Sequence, residues 1–516
     1  MQRELRKGRF LAICLCLFLV LALTACQIGV SQQMQAPPSP PGAAAPPPPS
    51  SLNTAPPAGP GSPSSPVKPS SDPGSIAAAF DESRAMEHVR TLAQPRFMGR
   101  HTGTPGEILG AQYVADQFQQ YGLKPGGQDG SYFQEFPVTV TEFSSVPELT
   151  LIDQSNRRNS LRLRDDFRPL ISGEAGPGSA EGPGVFAGTG DFSKADVRGK
   201  IALVVPRVRL TNLVADARGA GALALILTTG QETLLKGELQ EPASGGTLPV
   251  FLVSARGAEA LLEGSGHNRA ELNTRLRAGE TISPFPLAFS VSLAAQVESR
   301  EVVARNVIAR LPAAGATQDF CLVGGHFEEI GPDPDGVVYP AANDNASGTA
   351  VMLEMARLLA EPSPPLRANV LFIGWSGHEE GLLGSAYYLR NPVAPLAQTR
   401  CYINLDTVGQ GGGQDLLAGV SEARLRGVVE KAQDRLEKAT GQRPPVQISQ
   451  ESSGSSDHVN FIERGIPSVD LNWTGIFEGG KIHVPEDNAD NVDPAKLKVT
   501  GQVATAVLLD LAGGAQ

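Results

Sequence analysis

The sequence predicts an α/β protein, a mixed β-sheet flanked by helices, interrupted by an inserted and mostly-β unit. Three observations predict it. After Arg300, strand-like apolar runs alternate with helical stretches, which implies one sheet with helices on both faces. Between residues 141 and 299 that rhythm gives way to short strand-like runs separated by Gly-rich turns. The chain has 516 residues, 41% hydrophobic and 19% charged, enough for two or three domains with their own cores. A formal net charge of −11 argues against a nucleic-acid partner, which calls for a basic face.

The elements follow in chain order. Arg3, Arg6, Lys7 and Arg9 precede an apolar run over residues 10–25, too short and wrongly flanked for a membrane span. The run ends in Leu23-Thr24-Ala25-Cys26, which resembles the bacterial lipobox. Residues 1–25 are therefore expected to be a lipoprotein signal peptide and Cys26 the lipidated first residue of an exported, membrane-anchored protein. Residues 26–75, rich in Pro, Ser, Ala and Gly, read as a disordered linker. Extended at about 3.1 Å per residue, it would hold a domain on the order of 100 Å from the membrane. Helices are expected over 85–92 and 105–121, the second stopped by Gly122. Within 141–299 the strand-like runs are 200–205, 222–228 and 249–254, and His267 stands alone in a polar stretch, as a surface histidine does. Beyond Arg300, strands are expected over 302–311, 320–324, 369–374, 401–405 and 468–471, and helices over 347–360, 421–439 and 494–511. Cys321 and Cys401 sit in apolar strands, where buried free thiols are the expectation.

Open α/β sheets carry their sites at the carboxyl ends of strands. Those ends lead to His326, to Glu379-Glu380 and to Asp406, while Asp344 lies in a loop before a helix and His483 in the last loop. Two imidazoles and three ligand carboxylates form a nitrogen and oxygen set suited to zinc. Two other chemistries fail. His378-Glu379 opens like H-E-x-x-H, but position 382 is Leu. Ser347, in Asn345-Ala346-Ser347-Gly348, lacks the first glycine of a nucleophile elbow and reads as a helix-start residue.

These segments, in this order, resemble the di-zinc peptidase family that includes secreted bacterial aminopeptidases, glutamate carboxypeptidase and, more distantly, glutaminyl cyclase. Gly325-His326-Phe327-Glu328 is similar to its G-x-H-x-D segment, and Asp344-Asn345-Ala346-Ser347-Gly348 to D-N-x-S-G. Glu379-Glu380-Gly381-Leu382-Leu383-Gly384-Ser385 resembles E-E-x-x-x-G-S, Ile403-Asn404-Leu405-Asp406 resembles I-N-x-D, and Ile482-His483 with Asp487 the final histidine segment. Ser456-Asp457-His458 is similar to a further segment, with no ligand role expected. The resemblance spans residues 76–140 and 300–516, expected to form a zinc-exopeptidase-like catalytic domain. Residues 141–299 resemble the protease-associated domain often inserted in this family, on texture such as Val197-Arg198-Gly199-Lys200-Ile201 followed by Gly219-Ala220-Gly221-Ala222.

The resemblance implies two zinc ions bridged by Asp344, with His326 and Asp406 completing one site and Glu380 and His483 the other. Glu379 is then the general base. Two departures stand out. Glu328 replaces an aspartate that orients the first imidazole, and Ile482 stands where many members place a tyrosine. The implied activity is a metallopeptidase acting on peptides, foremost an aminopeptidase. The alternatives are a carboxypeptidase or dipeptidase of the same family, or a lipoprotein that binds peptides without cleaving them. A pocket with carboxylates for a substrate amine, against one with Arg for a carboxylate, separates the first two.

Overall fold

Alternating side chains of the strand Phe320–His326 decide how the first sheet is covered. Cys321 and Val323 enter a core on one face, and Leu322 enters a second core on the other. Every residue of this strand is buried, as is every residue of Asn369–Trp375. Strands buried on both faces read as continuous apolar runs, which is why the sequence displays them. In this computed structural model the described residues are 72–513, except 208, 233, 238, 240–246, 361–363, 365, 451–454 and 477–479. The expected signal segment, Cys26 and the linker up to residue 71 lie outside them.

From edge to edge the sheet runs Lys124–Pro125, Val297–Leu311, Asn369–Trp375, Phe320–His326, Thr399–Leu405, Ser468–Trp473, Leu416–Val420 and Val446–Gln450. Phe133–Phe143 pairs along Val297–Leu311. Four central strands, Asn369–Trp375 to Ser468–Trp473, are parallel to one another, so their carboxyl ends share one edge. Antiparallel partners flank them on both sides, making the sheet mixed. On one face lie the helices Glu82–Leu92, Pro105–Gln120, Gly348–Ala360, Ala423–Thr440 and Pro494–Gly513, which share a core with the sheet. The helices Leu383–Arg390 and His458–Glu463 cover the other face, where Phe461 stacks on Tyr402 with centroids 4.0 Å apart. Burying one such ring stabilises the fold by about 1.5–3 kcal/mol.

Local chemistry sets the helix ends. Thr104 caps the helix Pro105–Gln120 through its hydroxyl, Pro105 takes the first turn, and Gly122 ends it at φ +76°. The stretch expected to be linker up to residue 75 instead ends earlier. A helix Pro73–Ala78 starts there, because the Asp72 carboxylate accepts from Ser75 N and Pro73 fits its first turn. Cys321 and Cys401 are register partners in neighbouring strands, and both are free, buried thiols. Among the described residues no helix is long and apolar enough to cross a membrane.

The second sheet occupies residues 148–295. Its order is Arg158–Ser160, Glu148–Ile152, Phe285–Ala295, Gly178–Phe186, Ile201–Val204, Ala224–Thr228, Leu248–Val253 and Phe167–Leu170. The helices Leu210–Ala220, Ala255–Leu262 and Arg269–Arg277 accompany it, and it has cores of its own. The chain leaves the first sheet at Phe143 and returns at Val297, residues that face each other in one strand pair. An excursion whose ends lie side by side disturbs the first sheet little. Both sheets belong to one compact unit, Ser70–Gln516.

Candidate active site

Each candidate residue sits where a backbone element ends. His326 closes the strand Phe320–His326, Asp406 follows Thr399–Leu405, and Glu379 lies in the loop after Asn369–Trp375. Asp344 lies in an irregular turn before the helix Gly348–Ala360, pinned from several sides. Asn343 N and Asp344 N donate to the Asp487 carboxylate at 2.8 and 3.0 Å, and Asn345 Nδ2 donates to Leu405 O at 2.9 Å. Ser347 directly precedes the helix, as expected, but its Oγ donates to Asn343 O and accepts from Val408 N, while Asn345 Oδ1 takes the Gly348 N–H. Gly348 is required, because a Cβ there would lie 2.2 Å from Leu405 O. Non-glycine residues at positive φ gather around the site: Ala341, Leu382, Thr407 and His483 itself. Such strain persists only where the surroundings over-determine it, and it concentrates at functional sites.

The two carboxylate oxygens of Asp344 face different imidazoles. Oδ1 lies 3.3 Å from His326 Nε2, and Oδ2 lies 3.5 Å from His483 Nε2. His326 Nε2 is also 3.3 Å from Asp406 Oδ1, and His483 Nε2 is 3.4 Å from Glu379 Oε1. Two ligands of a tetrahedral zinc with bonds of about 2.0–2.1 Å stand about 3.3–3.4 Å apart. The donor set therefore fits two cations sharing Asp344. Each imidazole is oriented through its other nitrogen by a main-chain carbonyl. His326 Nδ1 is 3.1 Å from Glu328 O, and His483 Nδ1 is 2.8 Å from Lys236 O. That arrangement leaves Nε2 to the carboxylates, as in metal sites.

The electrostatics carry the same signature. Burial penalises the imidazolium of His326, but Asp406 and Asp344 outweigh it and hold its pKa well above the usual range. Burial opposes the charge of His483 too, and Glu379, Glu329 and Asp344 overcome it. Asp344 is buried, yet its two histidine partners hold its pKa below the ordinary value. These carboxylates demand positive charge.

Four of the five expected ligands come together: His326, Asp344, Asp406 and His483. Glu380 does not. Its carboxylate accepts from Thr102 Oγ1 at 2.7 Å and lies 3.1 Å from His101 Nε2. Glu379, expected as the general base, is the carboxylate that lies 3.4 Å from His483 Nε2. The loop turns sharply at Gly377, Gly381 and Leu382, all at positive φ, and neighbouring residues between them point apart. The expectation for Glu328 also changes. The first imidazole is oriented by its carbonyl, while its carboxylate accepts from His378 N, Glu379 N and Thr102 Oγ1.

Two residues at the site were given no role by the sequence. The His378 ring stacks on His326 with centroids 3.7 Å apart and 9° between planes, and its Nδ1 is 2.9 Å from Asp457 Oδ2. The Ser456-Asp457-His458 segment was the available signal for that contact. Glu329 is fully buried, with Oε1 3.7 Å from His483 Nε2 and, among the described residues, no hydrogen-bond partner for Oε2. Groups with ligand atoms within 4.8 Å of one another are His326, His378 and Asp406; His326, Asp344 and Glu379; and Glu329, Glu379 and His483. A cavity of about 230 Å³ adjoins them, lined among others by His101, Glu142, Lys236, Glu298, Glu379 and Glu380.

An α/β sheet with nitrogen and oxygen ligands converging at the carboxyl ends of its parallel strands defines a metallopeptidase. Residues 306–508 match the model of peptidase family M28. It is 29% identical over 363 residues to Aminopeptidase YwaD of Bacillus subtilis, covering 67% of this chain and 71% of that one. It is 26% identical over 423 residues to the probable lipoprotein aminopeptidase LpqL of Mycobacterium tuberculosis, covering 78% and 75%. The fold matches the solved aminopeptidase from Aneurinibacillus sp. strain AM-1 with a TM-score of 0.62 at 21% identity, over 86% of this chain and 97% of that one.

Proposed function

We propose that the protein is a zinc aminopeptidase with two ions, displayed on the outside of the membrane by a lipid on Cys26. The observation that carries the reading is Asp344, whose two oxygens address His326 and His483 separately. His326, Asp406 and Asp344 would hold one ion, and His483, Glu379 and Asp344 the other. Bound zinc supplies an acidified water and polarises the scissile carbonyl. The protein supplies the rest. Asp344 offsets the repulsion between the cations, and the carbonyls of Glu328 and Lys236 fix both imidazoles. Burial and His326 oppose the charge of His378, but Asp457 and Asp406 raise its pKa to about 9; as an imidazolium it would give its Nε2 proton to the leaving amine and regain one from the attacking water. Asp457 holds His378 Nδ1 and so orients the ring.

Amino-terminal action is favoured by the adjoining cavity. It presents the carboxylates of Glu142, Glu298 and Glu380 beside Lys236, and among the described residues no arginine lines it. Arg100, the arginine buried nearest the ligand loop, spends its donors on the carbonyls of Leu92, Phe327, Pro340 and Ala341. The sheet over residues 148–295 is read as the inserted protease-associated domain. A relative named as a lipoprotein supports the anchor at Cys26. The test is hydrolysis of a panel of peptides with free and with acetylated amino termini, alongside zinc content. Cleavage confined to free amino termini with two zinc ions per chain is expected. Equal cleavage of blocked peptides, or turnover without metal, overturns the reading.

A further inference from the structure

We infer that Lys236, on the connection between strands Ala224–Thr228 and Leu248–Val253 of the inserted sheet, is a positioning residue that builds the His483 half of the metal site. This rests on the ligand assignment proposed above. The contact is made twice, by main chain and by side chain. Lys236 N donates to His483 O at 3.0 Å, and Lys236 O takes the Nδ1 hydrogen of His483 at 2.8 Å. The second bond selects the tautomer that turns His483 Nε2 toward Asp344 and Glu379. His483 has φ +52°, so its backbone does not settle there unaided.

The side chain anchors that main chain. Lys236 Nζ donates to the carbonyls of Ile330, Gly331 and Pro332 at 2.8, 3.1 and 3.0 Å. An ammonium has three hydrogens, and all three are engaged. Asp333 Oδ1 lies 3.5 Å away, and Nζ sits 4.9 Å from the centre of the Tyr339 ring. The side chain is 10% exposed. The three carbonyls belong to the residues that directly follow Glu328 and Glu329. One buried cation therefore ties the inserted sheet to the Glu329 segment while its own backbone aims His483.

The other half of the site does not depend on it. His326 is oriented by Glu328 O, and the Asp344 loop by Asp487. Removing the ammonium should loosen one ion and spare the other. The loss of a group that orients a ligand costs about 10–100-fold in metal affinity.

The experiment is a zinc titration with a competing chelator on the mature wild type, Lys236→Met and Lys236→Gln, followed by cobalt substitution and its visible spectrum. The wild type should take two ions. Lys236→Met should keep the first at wild-type affinity, bind the second about 10–100-fold more weakly, and alter only the part of the cobalt spectrum belonging to the second. Lys236→Gln, which retains two donors, should show a smaller weakening of the same ion, and serves alone if the methionine variant does not fold. A wild type with fewer than two ions overturns the assignment on which the inference rests. Two ions in the wild type with both sites unchanged in the variants, or weakened equally, overturns the inference itself.

Discussion

Glu379 and Glu380 are chemically identical neighbours, and they should fail in opposite ways. Glu379 Oε1 stands 3.4 Å from His483 Nε2, at the spacing of two ligands on one zinc. Glu379→Gln removes one of three protein ligands and a full negative charge from the second ion. Groups that merely orient a ligand are worth about 10–100-fold in affinity, so loss of the ligand itself should cost at least about 100-fold, or about 2.7 kcal/mol. Glu380 bonds Thr102 and lies 3.1 Å from His101, away from both imidazoles. Glu380→Gln should keep both ions and lose only a partly buried charged contact, about 1–3 kcal/mol of stability. The assay is elemental analysis after dialysis against zinc buffered by a chelator, with thermal unfolding in parallel. Two ions in Glu379→Gln and one in Glu380→Gln would refute the assignment and restore the order expected from sequence.

Asp344→Asn should weaken both ions together in the same dialysis, whereas His483→Ala should empty mainly one. His378→Gln should retain both ions and substrate affinity while kcat falls by about 10²–10⁴-fold, and single-turnover kinetics on the fully loaded variant would expose an unchanged rate. Cys26→Ser should move the protein out of the membrane fraction or leave it unprocessed, as read by fractionation and migration. Stability should also respond to pH through His101. Burial opposes its charge, but Glu142 and Glu380 raise its pKa from 6.5 to about 9. A raised folded-state value means that the stabilisation is complete below about pH 6.5 and lost as pH rises through about 9. Wild type and His101→Gln, compared by denaturant unfolding, should converge across that window. A constant difference from pH 6 to 10 would contradict it.

Much of the catalytic sheet was legible because its central strands are buried on both faces and display unbroken apolar runs. The expected 320–324, 369–374 and 468–471 differ from the observed strands by one or two residues at an end. His326, Asp344, Asp406 and His483 were legible because each ends a strand or occupies a marked loop. Which of Glu379 and Glu380 lies beside His483 was not legible, for a physical reason. Between Gly377 and Leu382 the chain has no helical or strand period, so sequence does not say which of two adjacent carboxylates faces inward. Glu329 was invisible because nothing near it in sequence distinguishes a buried glutamate from an exposed one. Lys236 reaches His483, and His101 reaches Glu380, from more than 200 residues away in the chain, through packing that no local pattern records. The helix Pro73–Ala78 was missed because the proline-rich composition around it masks a single capping aspartate.

A crystal structure of the zinc-loaded mature protein, with anomalous scattering collected at the zinc edge, tests the central claim most directly. Two peaks about 3.5–4 Å apart are expected, with Asp344 between them. His326 and Asp406 should contact one, and His483 and Glu379 the other. A single peak, or Glu380 rather than Glu379 at the second, would contradict the proposed site.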